Sequence, residues 1–277
     1  MPQHGMPQHG MPQHGMPQHG GAPRSILITG ASSGLGAALA VGYAAPGIRL
    51  ALTGRDATRL EATAALCRQQ GAVVEQATLD LGEAEPTGAW VQAMDDAAPI
   101  DLAIAAAGLS GGPQPGEITE GVASAVGQIA ANLLGTVHVI EPLLPRMLAR
   151  GRGHVAVVSS VAGYRGLPYS PAYSASKAGV RAYGEGLRAA LQPHGVVCSV
   201  VVPGFFDSPM TDRFMGDKPF MLSLERAAAI VRTGLDRRRA RIVFPRLLGL
   251  GIQATDLMPW RLGDAILRSV RFHIRPR

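Results

Sequence analysis

Tyr173 and Lys177 stand four residues apart in the run Tyr173-Ser174-Ala175-Ser176-Lys177. On a helix that spacing brings a phenol and an ammonium onto one face. A positive charge beside a phenol favours the phenolate, drawing a pKa of about 10 down toward working pH and making the tyrosine a usable general acid or base. Lysine is scarce here: of 26 basic residues only Lys177 and Lys218 are lysines, so a compact ammonium at 177 is a specific choice in an arginine-rich chain. The same spacing also describes a surface lysine one turn from a half-buried tyrosine, so a second motif must decide.

That motif is Thr29-Gly30-Ala31-Ser32-Ser33-Gly34-Leu35-Gly36. It follows the apolar stretch Ser25-Ile26-Leu27-Ile28, readable as a buried parallel strand, and opens an alanine-rich helical stretch from Ala37 to Ala45. Strand, glycine turn and helix start form an arrangement whose backbone N–H groups and dipole hold a pyrophosphate, which makes Gly30, Ser32, Ser33, Gly34, Leu35 and Gly36 candidate cofactor-binding residues. The glycine spacing is not the commoner G-x-G-x-x-G, and tight turns need glycine for their own sake. The loop gains weight from the Tyr-x-x-x-Lys downstream.

Together these motifs resemble the short-chain dehydrogenase/reductase family, over roughly Arg24 to Pro245. The family's T-G-x-x-x-G-x-G is complete at Thr29 to Gly36, and Ser160 lies thirteen residues before Tyr173, at the family's usual spacing. The resemblance implies an NAD(P)-dependent oxidoreductase whose catalytic tetrad is Asn132, Ser160, Tyr173 and Lys177. Tyr173 then exchanges the proton, Ser160 hydrogen-bonds the carbonyl oxygen, Lys177 lowers the Tyr173 pKa and holds the nicotinamide ribose, and Asn132 anchors a water linking Lys177 to solvent. It also implies cofactor contacts at Asp80 and Leu81 (adenine), at Ala107 and Gly108, at Pro203 and Gly204, and at Ser208, which stands where the family often has a threonine bonding the carboxamide. Asp80 alternatively serves a turn or a helix cap. One departure stands out: Ala105-Ala106-Ala107-Gly108 replaces the usual Asn-Asn-Ala-Gly or Ala-Asn-Ala-Gly, so Ala106 lacks an amide that would tie the strand end to its neighbours.

The adenosine ribose is read at the end of the second strand, Leu52-Thr53-Gly54-Arg55-Asp56. An acidic residue there would accept from the ribose hydroxyls and repel a 2'-phosphate, whereas Arg55 presents a permanently charged fork suited to phosphate. NADP(H) is therefore expected over NAD(H), with Asp56 as the alternative reader of the ribose.

These residues need strands ending on one side of a sheet. Seven segments read as strands: Ile26–Thr29, Arg49–Leu52, Val73–Leu79, Leu102–Ala106, His154–Ser159, Val196–Val202 and Ile242–Phe244. Helical stretches alternate with them, including Thr58 to Gln70 with Asp56 or Ala57 near its N-cap. The expectation is one α/β domain over residues 24–245, a Rossmann-type doubly wound parallel sheet flanked by helices. Residues 1–23 read as a disordered tail built on four copies of Met-Pro-Gln-His-Gly, with His4, His9, His14 and His19 as a weak metal tract and a repeat expansion as the alternative. Cys67 and Cys198, without C-x-x-C spacing, read as buried free thiols.

With 277 residues and 47% hydrophobic content the chain can bury a sizeable core. No apolar run of 18 residues and no leader pattern is visible, which points to a cytoplasmic protein. Eleven arginines and three aspartates fall between Arg232 and Arg277 against +6 for the whole chain, so the rest is slightly acidic and nucleic-acid binding is not expected. Residues 246–277 read as a basic amphipathic extension, packed on the domain or a second subunit, or in weak contact with a membrane surface. Phe205 to Leu222, with four phenylalanines and three methionines, reads either as an apolar-lined substrate lid or as a loop packed on the domain. The partners expected are a small carbonyl or alcohol substrate and further copies of the chain, as homodimer or homotetramer. The alternatives are a reductase of 3-oxoacyl or lipid-type substrates and an NADP(H)-sensing protein of weak activity.

Overall fold

The computed structural model describes residues 21–114, 116–269 and 272–274. The Met-Pro-Gln-His-Gly repeat lies outside them. The strands are β1 (Ser25–Thr29), β2 (Arg49–Gly54), β3 (Val73–Thr78), β4 (Leu102–Ala105), β5 (Gly153–Val158), β6 (Val196–Pro203), β7 (Phe214–Gly216), β8 (Arg241–Phe244) and β9 (Phe272–Ile274). Seven of them, in the order β3-β2-β1-β4-β5-β6-β8, form an entirely parallel sheet, and they are the seven expected strands with ends moved by a residue or so. The order reverses between β1 and β4. There the chain leaves neighbouring strand ends in opposite directions and opens a crevice.

Alternation along each buried strand splits the core in two. Ile26, Ile28, Leu50, Leu52 and Ile104 point to one face, where α1 (Gly34–Tyr43), α2 (Ala57–Gln69) and α8 (Leu224–Asp236) cover them with Leu39, Leu60 and Val231. Leu27, Ala51, Ala103, Val155 and Val200 point to the other, covered by α3 (Ala84–Ala97), by the helical stretch 122–150 and by α7 (Pro171–Leu191). That middle stretch comprises α4 (Val122–Ile129), a π turn (Ala130–Leu134), α5 (Gly135–Ile140), a 3-10 turn (Glu141–Leu143) and α6 (Leu144–Arg150). It is long and apolar enough to cross a membrane by length and composition alone. Val139, Ile140, Leu143 and Met147 are nevertheless fully buried against the sheet, as expected of a core helix. Cys67 and Cys198 are buried free thiols on opposite faces.

The strand starts are clamped by charge. Arg49 grips Glu75 through two bonds, of 3.1 and 2.7 Å, and donates to the Met94 carbonyl at 3.0 Å, tying β2 to β3 and α3. Asp95, 3% exposed, accepts from Arg150 at 2.7 and 3.0 Å and from the Ile100 N–H at 2.8 Å, joining α3 to α6 and to the entry of β4. Burial alone would raise its pKa, but the bonds from Arg150 and Ile100 outweigh it and hold the carboxyl below the usual range.

Past β8 the chain forms α9 (Arg246–Asp256) and α10 (Trp260–Ser269), two helices where Pro259 prevents one. Arg165 fastens them, donating to the Thr255 carbonyl at 2.7 Å and to Asp264 at 3.1 Å. Strand β9 then pairs antiparallel with β7, so the C-terminal extension returns to the Phe205–Leu222 segment.

Because the Asp95 cluster sits at the strand starts, remote from the crevice, Asp95→Ala is expected to cost about 3 kcal/mol of stability by leaving arginine and an amide without their acceptor. A folded pKa below the unfolded value stabilises above the unfolded value and is lost as pH falls, so the deficit should shrink on acidification below about pH 4. Thermal unfolding from pH 3 to 7 checks this; an unchanged Tm at pH 7 would refute the clamp.

Candidate active site

At the β1–β4 crevice a cavity of about 570 Å³ opens at the carboxyl ends of the strands. Its floor is the glycine loop. Gly30 has φ +69°, and a Cβ there would lie 2.8 Å from the Ala107 Cα; a Cβ on Gly36 would lie 2.4 Å from the Gly30 carbonyl oxygen. Only glycine at these two positions lets β1, the end of β4 and α1 come together. Ser33 is the α1 N-cap in extended conformation, makes no side-chain cap bond, and no acidic residue occupies the first turn. Ser32, Ser33, Gly34 and Leu35 line the cavity, so the start of α1 offers free donors to an anion, and the loop fits a dinucleotide pyrophosphate.

Ala106 lacks the amide usual in the family, and Thr29 fills part of its role. Its Oγ1 accepts from the N–H groups of Ala106 and Ala107, both at 3.1 Å, fixing the end of β4 to β1. Beyond lie Ala107 and Gly108 at the cavity wall. A Cβ on Gly108 would be 3.2 Å from Lys177 Nζ and 3.4 Å from Asn132 Oδ1, so this glycine is where the three residues meet.

Asn132 is fully buried in the π turn. The turn's extra residue aims its side chain inward, as such bulges often do at functional sites. The Asn132 Oδ1 accepts from the Leu109 N–H at 2.6 Å, and its Nδ2 donates to the Leu109 carbonyl at 2.9 Å and to Ser176 Oγ at 2.8 Å. The amide thus anchors the loop after β4 to α7.

Ser160, Tyr173 and Lys177 converge at the inner end of the cavity, 9, 7 and 4% exposed. Gly163 makes this possible, because a Cβ there would come 2.7 Å from the Lys177 carbonyl carbon; α7 therefore lies directly on the turn that carries Ser160. The Lys177 Nζ donates to the Val158 carbonyl at 2.9 Å and stands 5.9 Å from the centre of the Tyr173 ring. Burial pushes the Lys177 pKa down to about 8. Burial also raises that of Tyr173, partly opposed by its hydrogen bond with Ser160. The direction differs from the expectation that Lys177 draws the phenol toward neutrality: burial raises the Tyr173 pKa, and the bond with Ser160 is what favours the phenolate.

At the adenosine end Arg55 is exposed, lines the cavity and forms no ion pair among the described residues. Asp56 caps α2, accepting from the Arg59 N–H and Nε, both at 2.9 Å. A Cβ on Gly54 would lie 2.9 Å from the Ser32 side chain, which brings the β2 end against the glycine loop. Asp80 accepts from the Gly82 N–H at 2.9 Å in a turn, while Leu81 gives its carbonyl to His138 Nδ1 at 2.8 Å. On the far wall Pro203 and Gly204 follow β6, the Gly204 N–H donating to the Phe244 carbonyl at 2.7 Å. Ser208 is buried, its hydroxyl 3.0 Å from Thr211 Oγ1 and accepting from the Thr211 N–H at 3.2 Å.

Every site residue read from sequence except Asn132 lines the cavity, and Asn132 lies directly behind it. Sequence reasoning missed Arg59, Ser110, Thr211 and Arg213, which line it too. Arg59 lies in the first turn of α2, three residues after the cap residue Asp56. The others depend on how loops fold over the site and leave no local signal.

Burial holds the Lys177 pKa at about 8 in the fold, below the roughly 10.4 of a free lysine. The unfolded chain then binds more protons between those values, so through this group stability rises with pH from about 8 upward. Lys177→Met is expected to be more stable than the wild type at pH 7, its advantage shrinking as pH rises above about 8. Parallel Tm profiles of the two proteins from pH 7 to 10 would contradict this.

A profile of the short chain dehydrogenase family matches residues 24–218. An uncharacterized oxidoreductase of Myxococcus xanthus (strain DK1622) is 35% identical over 253 residues, covering 90% of this chain and 98% of that protein. Among solved structures, a short-chain dehydrogenase from Sphingobium yanoikuyae in complex with NADPH superposes with a TM-score of 0.73 at 25% identity, over 89% of this chain and 96% of that one. A short-chain dehydrogenase/reductase from Burkholderia phymatum in complex with NAD also gives 0.73 at 25% identity, over 84% and 93%. With its glycine loop, parallel sheet and buried Ser-Tyr-Lys cluster, the chain belongs to the short-chain dehydrogenase family and is an oxidoreductase acting on carbonyl or alcohol groups.

Proposed function

We propose that the protein is an NADP(H)-preferring reductase or dehydrogenase of an apolar small molecule bearing a ketone, aldehyde or secondary alcohol. The observation that carries the cofactor preference is the division of labour at the end of β2. Asp56 is committed to capping α2, while Arg55 is left to face the cavity, with Arg59 beside it. With Asp56 held by the cap and by the Arg59 guanidinium, Arg55 is the charged group at this strand end that favours a 2'-phosphate over bare ribose hydroxyls. The apolar reading of the substrate rests on Leu109, Leu167, Phe205, Met210 and Phe214 around the outer cavity.

When bound, NADP(H) would supply or accept the hydride, with Ser160, Tyr173 and Lys177 lining the same cavity. Tyr173 gives its proton to the carbonyl oxygen, a role its raised pKa suits in the reductive direction. Ser160 hydrogen-bonds the same oxygen and stabilises the charge that develops on it. Lys177, held by the Val158 carbonyl, keeps donors free for the ribose hydroxyls. The tie between Thr29 and Ala106–Ala107 holds the strand end beside the cofactor loop, which supports the enzyme reading over a catalytically weak sensor. Exposed Val122, Val126 and Ile129 on α4 support self-association.

Tyr173→Phe is expected to bind NADPH normally and to lose at least about 100-fold in kcat, since the ring still fills its space while the transferable proton is gone. A screen of ketones and aldehydes read at the nicotinamide absorbance checks it; wild-type turnover in the variant would exclude Tyr173 as the acid. For cofactor choice, Arg55→Ala should weaken NADPH by roughly ten- to a hundred-fold and leave NADH nearly unchanged. Side-by-side titrations decide this, and equal wild-type affinities for the two cofactors would defeat the proposed preference.

A further inference from the structure

Among the polar residues of the cavity wall, Ser110 and Arg213 are left unused by the proton-transfer chemistry. Ser110, in the loop after β4, lines the cavity and is 2% exposed, and its hydroxyl has no hydrogen-bond partner among the described residues. A buried hydroxyl without a partner costs free energy that a bound acceptor would recover. Arg213 comes from the opposite side, on the short turn Thr211–Arg213 leading into β7. It lines the same cavity and donates from Nη1 to the Ser110 backbone carbonyl at 3.2 Å, which brings the guanidinium to the loop segment that carries the Ser110 hydroxyl.

Nothing in the proton transfer needs a permanent cation there. Lys177 lies at the inner end, and the pyrophosphate-binding donors belong to the start of α1. A guanidinium and a free hydroxyl beside Leu109, Leu167 and Phe214 make a small anion-recognising group set into an apolar wall. Burial lowers the pKa of Arg213 below the ordinary arginine value, so its charge sits partly out of water at the cavity wall, where an anion is attracted more strongly than in bulk solvent. The position is also held: Phe214 stacks edge-on against Phe205 with ring centres 5.7 Å apart, and β7 is paired to β9.

We propose that Arg213 and Ser110 form a subsite for a carboxylate carried by the substrate, so that the preferred substrates are apolar keto acids or hydroxy acids rather than neutral ketones. The inference rests on the reading of the outer cavity as the substrate end, and it assigns Arg213 to substrate specificity rather than to cofactor binding or catalysis.

Calorimetric binding to the enzyme–NADP⁺ complex tests it without turnover, using 3- and 4-acetylbenzoate against the matched 3- and 4-acetylbenzamides. The wild type should bind at least one carboxylate about ten-fold or more tighter than its amide, in keeping with a charge-assisted hydrogen bond. Arg213→Met should bring the pair within about two-fold, Arg213→Lys should keep most of the preference, and Ser110→Ala should lose a few-fold of it, with NADPH affinity unchanged in all three. A wild type that binds neither form, or both equally, overturns the proposal. So does an Arg213→Met variant that weakens carboxylate and amide alike, which would make Arg213 a brace for the segment, or one that loses ten-fold in NADPH affinity, which would give it to the cofactor. Failure of the enzymatic reading shows separately, as absence of NADPH oxidation with any ketone while the carboxylate preference persists.

Discussion

The site is organised around one buried ammonium. Lys177 is 4% exposed, and a charge so placed is tolerated only when its few donors are met and its neighbours are fixed. The Val158 carbonyl at the end of β5 meets one donor, which locks α7 to the sheet at the height of the strand ends. Ser159 reinforces the lock by donating to the Lys177 carbonyl at 2.7 Å. The surroundings are shaped by what this placement demands. Gly163 and Gly108 have no side chains because the Lys177 backbone and ammonium occupy that space, and Asn132 bonds across from the π turn to the start of the same loop.

A parallel sheet separates these demands from those of stability. At the strand starts, Arg49 and Asp95 gather several bonds each and have no route to the cavity. At the strand ends, polar groups are left with spare capacity among the described residues: Ser33 without a side-chain cap bond, Arg55 at the cavity wall and the Ser110 hydroxyl without a partner. Groups left short of partners cost stability, and such costs concentrate where a ligand will repay them.

The extension after β8 belongs to the site more than its sequence position suggests. Arg165, a few residues from Ser160, holds α9 and α10, and β9 pairs with the strand inside the Phe205–Leu222 segment. Part of that segment is thereby anchored, through Phe214, while Phe220 and Met221 stay 58 and 43% exposed. Leu247, Leu257 and Trp260 remain exposed on the extension.

Sequence alone determined the sheet and the reacting cluster, because both are written in short-range patterns. Apolar runs of strand length with helical stretches between them specify a parallel sheet. Thr29–Gly36 and Tyr173-x-x-x-Lys177 are local motifs whose geometry follows from one turn or one helix face. The N-cap at Asp56 was equally legible, since a cap is a contact three residues long. Only the tertiary structure decided the rest. That Thr29 replaces the missing amide at Ala106 depends on β1 lying beside β4, and that Ser110 meets Arg213 depends on two loops 103 residues apart closing over one cavity. The sign of the Tyr173 shift belongs to the same class: adjacency to Lys177 is visible in sequence, but desolvation, which overrides it, is set by how many other segments crowd around the phenol, and no local pattern records that.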